Sequence, residues 1–131
     1  MNSSVMKRTT AESLAGTMTF PEVVGLLLAE GVESYHADLV KLEKTFYMPD
    51  GETFVEELKY APPSIGEDFS AEGVISAIRA IQLKEINYKE FLRQIMEAGT
   101  TAYFVFLDGK KAIYYGRKGD LHIEHFPQTT N

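Results

Sequence analysis

The chain has 131 residues and a net charge of −6, with 44% hydrophobic and 24% charged residues, the balance of one ordinary globular domain. The absence of cysteine excludes disulfides, thiol nucleophiles and cysteine-held zinc or iron–sulfur centres. The longest uninterrupted apolar run, residues 102–107, is far short of the roughly 18 residues a membrane helix needs, so a cytoplasmic protein with no membrane partner is expected.

Residues 1–18 are polar, with Met6, Leu14 and Met18 as scattered anchors. They read as a partly disordered tail holding a short helix around 8–15. No apolar stretch of the signal-peptide kind follows Lys7 and Arg8. A single α+β domain is expected over 19–127, with 128–131 as a C-terminal tail.

The central feature is a tandem repeat. Residues 19–56 and 87–124 align without a gap at an offset of 68 residues, with seven identities that include Gly31/Gly99, Tyr35/Tyr103, Tyr47/Tyr115 and Glu56/Glu124. Each repeat opens with a helix. Thr19-Phe20-Pro21-Glu22 and Asn87-Tyr88-Lys89-Glu90 read as capping boxes, in which cap and glutamate each satisfy an orphan amide. Val23, Val24, Leu27 and Leu28 match Phe91, Leu92, Ile95 and Met96 at the spacing of one helical face. Gly31 and Gly99 stand where a left-handed residue ends a helix.

After each glycine the period changes to two. Residues 35–40 and 103–107, then 44–47 and 112–115, then 52–58 and 121–126 read as three strands per repeat. Asp108-Gly109, Pro49-Asp50-Gly51 and Gly116-Arg117-Lys118-Gly119 supply turns. Between the repeats, 57–86 holds a proline loop and a helix capped by Ser70, with Val74, Ile75, Ile78 and Ile81 as its apolar face. The expected order is (α)–α–βββ–α–α–βββ, a repeat of helix plus three-stranded antiparallel meander with pseudo-twofold symmetry. One six-stranded sheet and two three-stranded sheets fit equally well.

Charge is divided between the repeats: 19–56 carries eight acids against two lysines, and 87–124 carries five acids against six basic residues. The few basic side chains, Lys110, Lys111, Arg117 and Lys118, fall short of a phosphate-binding surface, so no nucleic-acid partner is expected. The division could instead steer two copies together as a homodimer.

Several side chains could carry chemistry. In His122-Ile123-Glu124-His125, strand alternation sets His122 and Glu124 on one face and turns His125 to the other. That offers a histidine–carboxylate pair but not a metal site, so neither metal nor cofactor is expected. Glu56 and Glu124, being repeat equivalents, could meet across the pseudo-dyad as an acid–base pair. Tyr47, Tyr115 and Arg117 could line a cleft for a planar or anionic small molecule. Phosphate loops, dinucleotide fingerprints, nucleophile elbows, zinc-protease helices and calcium loops are missing from the sequence.

Thr19-Phe20-Pro21-Glu22, Phe46-Tyr47-Met48-Pro49-Asp50-Gly51, Tyr114-Tyr115-Gly116-Arg117 and above all His122-Ile123-Glu124-His125-Phe126-Pro127 carry a family resemblance over 19–127. The chain resembles the uncharacterised bacterial YdfO-like proteins, often labelled "phage envelope protein". The resemblance implies a compact α+β domain and no particular activity or site. The leading expectation is a small soluble non-catalytic binding or interaction domain, its partner a protein or a small-molecule ligand. The alternatives are an acid–base enzyme with a carboxylate/histidine site between the repeats, and a phage-derived structural protein.

Overall fold

The computed structural model describes residues 2–127; the expected tail at 128–131 lies outside them. Helices α1 (Ser3–Ala15) and α2 (Phe20–Ala29) precede strands β1 (Ser34–Asp38), β2 (Glu43–Tyr47) and β3 (Thr53–Glu57). Helices α3 (Ala71–Gln82) and α4 (Tyr88–Glu97) precede β4 (Thr100–Phe106), β5 (Lys111–Gly116) and β6 (Leu121–His125). The α+β class and the helix-plus-three-strand repeat stand as read.

The strands form one six-stranded antiparallel sheet in the order β3-β2-β1-β4-β5-β6. Each repeat is a meander, and the two meanders join through their first strands. On β1 and β4, His36 lies opposite Phe104, its own equivalent 68 residues on. The pseudo-dyad therefore runs through the middle of the sheet, normal to it.

All the described helices cover one face. Tyr35, Ala37, Phe46, Tyr103, Val105, Ala112 and Tyr114 point into that side and are buried with Leu27, Val74, Leu92 and Ile95 from the helices. The residues between them in sequence point to the opposite face and remain half or fully exposed. This alternation is that of an antiparallel sheet with a single covered side.

The local signals behave as their chemistry demands. Glu22 Oε1 accepts from the Thr19 amide at 2.9 Å, and Asn87 Oδ1 accepts from the Glu90 amide at 2.9 Å. Each is one arm of a capping box. The Glu90 carboxylate turns instead to Arg93. Gly31 and Gly99 have φ of 86° and 96°, the left-handed backbone that favours glycine.

The N-terminus differs from expectation. Instead of a frayed segment with a helix near 8–15, the helix begins at Ser3, where Asn2 Oδ1 caps the Ser4 amide. It packs against α2, α4 and β3, and Met6 is fully buried. Its inward face also uses Thr9, Thr10 and Ser13, polar residues that hide the helical period.

Candidate functional site

The six residues singled out in the sequence fall at five separate places. Glu56 sits on β3 and Glu124 on β6, the two outer strands of the sheet. Five strand intervals of about 4.8 Å hold them about 24 Å apart, so they do not form an acid–base pair. Tyr47 and Tyr115 both lie on the uncovered face, on β2 and β5. Three strand intervals and the length of the strands separate them, so they line no common cleft. Arg117 borders a shallow open depression with Val40, Ser64, Ile65 and Thr101, and its guanidinium donates to the Ile65 carbonyl at 3.1 Å.

His122 and Glu124 do come together. His122 Nε2 lies 3.1 Å from Glu124 Oε1, and Arg79 on α3 donates to Glu124 Oε2 at 2.8 Å. The glutamate side chain is only 16% exposed. Burial alone would raise its carboxyl, but the Arg79 guanidinium and the His122 ring together hold it below the usual carboxylate range. The arrangement ties β6 to α3. His125 points to the other side of the sheet, as alternation requires. Among the described residues no three histidine, aspartate or glutamate side chains are grouped to hold a metal ion.

A second cluster, missed in the sequence, lies between α4 and the sheet. Lys44 on β2 is 3% exposed. Its ammonium stands over the rings of Tyr35 and Tyr88, 5.2 Å and 4.8 Å from their centroids, with no carboxylate in ion-pair range among the described residues. The Tyr88 and Tyr103 hydroxyls share a hydrogen bond, and the Tyr103 and Tyr114 rings lie 5.4 Å apart. Burial pushes the phenols of Tyr35, Tyr103 and Tyr114 upward, so they stay protonated at neutral pH. The one available signal was Lys44 at an inward position of the strand alternation. A lysine there reads as a fault in the pattern until its ring partners are known.

The uncovered face is the broadest feature. Across its middle run Val55, Thr45, His36, Phe104, Ile113 and Ile123, one from each strand. Phe104 contacts His36 at 5.1 Å, stacks on Phe106 at 4.8 Å and on Tyr47 at 5.8 Å between ring centroids. Val55, Leu121 and Ile123 are 51%, 51% and 44% exposed. Solvation of so many apolar side chains on one flat surface is costly, and such patches mark contact sites.

At one end of the strands this face carries Glu57, Glu43 and Asp38 side by side. At the diagonally opposite corner it carries Phe106, Lys111 and His125. The pseudo-dyad exchanges the two corners, so Glu43 is equivalent to Lys111 and Glu57 to His125.

A family model described as "Protein of unknown function (DUF1398)" matches residues 17–125. No curated protein matches the chain. No described helix is long and apolar enough to cross a membrane.

Proposed function

The chain belongs to the DUF1398 family, whose description carries no activity, and on that premise we propose that the protein is a small non-catalytic binding domain. Its working surface is the uncovered face of the sheet, centred on His36 and Phe104. The carrying observation is the aromatic row of Tyr47, Phe104 and Phe106 with apolar Val55, Ile113 and Ile123 beside it, uncovered among the described residues while the described helices occupy the other side. The partner is a protein or a planar small molecule, and Tyr47 and Tyr115 are contact residues within that surface. The kinship with the YdfO-like proteins and a cytoplasmic location belong to this reading, supported by the closing motif from His122 to Pro127 and by the missing cysteine.

Acid–base catalysis by His122 and Glu124 is the weaker reading. The pair has the contact that proton transfer requires, but Glu124 is already engaged by Arg79.

Amide chemical-shift mapping during a fragment and partner screen distinguishes the two. Saturable shifts grouped on Thr45, Tyr47, Phe104, Ile113 and Tyr115, without turnover, are expected. Binding grouped around His122 and Glu124, or turnover of any bound compound, overturns the proposal.

A further inference from the structure

We propose that the occupant of the uncovered sheet face is a second copy of the same chain, docked face to face. This rests on the reading of that face as the docking surface. The argument comes from the signs of its charges.

Exact duplication would give the two repeats like residues at like places. Here Glu43 is matched by Lys111 and Glu57 by His125, so the acidic and basic corners stand at equal distances on either side of the His36/Phe104 centre. Glu43 and Lys111 are three strand intervals and four residues apart, about 20 Å at ordinary strand spacings, too far to pair within one chain. Neither has an ion-pair partner among the described residues.

Now consider a second copy related by a twofold axis lying between the two faces. If the axis is perpendicular to the line from Glu43 to Lys111, the rotation exchanges these two positions. Glu43 of each copy then meets Lys111 of the other, so the contact occurs twice as an isologous dimer requires. That line runs at about 45° to the strands by the same spacings, so the two sheets cross steeply, nearer the orthogonal class of packing than the aligned one. The aromatic centre lies in the middle of the overlap, where packing supplies the binding energy, and the charge pairs at its rim set the register.

Other occupants fit less well. A nucleic acid or an anionic membrane would meet the row of Asp38, Glu43 and Glu57 and be repelled. The face measures about 29 by 17 Å at these spacings. Two faces crossed near a right angle overlap over about 17 by 17 Å, less than the standard size of specific interfaces, so the dimer is weak and reversible and forms only at high concentration.

Sedimentation over a wide concentration range tests this with six samples. Wild type is expected to move from monomer to dimer as concentration rises. Glu43→Lys alone and Lys111→Glu alone are each expected to weaken the dimer about tenfold or more, as rim charge pairs turn repulsive. An equimolar mixture of the two variants should associate again, because a chain with lysine at both corners fits one with glutamate at both. The double reversal in one chain should do the same. Both positions are on the surface, so the fold is expected to survive, and far-UV circular dichroism checks it. Thr45→Arg, at the centre of the face, is a second route to a monomer.

A wild type that stays monomeric at every concentration overturns the second-copy proposal. So do charge-reversed variants that associate as wild type does, or reversals that neither mixing nor combination rescues. A monomer that shows saturable shifts on this face with some other ligand keeps the binding-domain reading. A dimer whose protected amides lie on the helical side overturns both.

Discussion

His36 and Phe104 oppose each other on the two central strands with their rings 5.1 Å apart, and they are repeat equivalents 68 residues apart in sequence. The duplicated halves are thus joined at one self-matching position, and everything else in the sheet is ordered outward from it. The helical side closes the core, and the other side is left with the aromatic row and the two charged corners.

Lys44 separates charge from packing in the buried cluster. Its stem is buried and its ammonium stands over two aromatic rings. Lys44→Met keeps the stem, loses an attraction of about 2 kcal/mol for a desolvated cation–π contact, and removes the desolvation cost of the charge. Urea denaturation should find it within about 1 kcal/mol of wild type, with Lys44→Ala lower by about 2 kcal/mol through the cavity left behind.

Glu124 carries a pH dependence. Its folded carboxyl is held below the unfolded value, so its contribution is complete above the unfolded carboxylate range of about 4 and is lost as pH falls through the folded value. Glu124→Gln is expected to cost about 1 kcal/mol at neutral pH. In thermal melts at falling pH, the gap between wild type and variant should narrow below about pH 4. A gap that holds constant into acid would mean the Arg79 and His122 contacts do not act through charge.

Two glycines with similar backbone angles should differ sharply. Gly99 and Gly119 have φ of 96° and 85°. A Cβ on Gly99 would clash with the Asp68 carbonyl oxygen, whereas one on Gly119 meets open space. The loop before α3 is tied to the end of α4 through Ser70 and Ala98, so the Asp68 backbone has little room to move. Gly119→Ala is expected to cost about 1 kcal/mol of left-handed strain, and Gly99→Ala at least twice that in the same denaturation assay.

The N-terminal helix should behave as part of the core. Met6 is fully buried and Lys7 stands over the Phe54 ring on β3 at 5.9 Å. Met6→Ala is expected to cost about 2–4 kcal/mol, and removal of residues 1–18 should lower the melting temperature rather than trim a tail.

The repeat, the order of its elements and the alternation within each strand were legible in the residues alone, because these rest on short-range periods, caps and glycines that act locally. Alternation alone set His122 and Glu124 on one face and turned His125 away. That the two meanders share one sheet came from long-range packing, because a β1–β4 pairing between residues 64 to 72 apart has no local signature. That single pairing carried Glu56 and Glu124 to opposite edges and spread Tyr47 and Tyr115 across the uncovered face. It also aligned Glu43 and Lys111 as opposite corners of one surface. Lys44 and the N-terminal helix stayed hidden for a related reason: a buried lysine, or a helix face of threonine and serine, acquires meaning only from the neighbours that long-range packing brings to it.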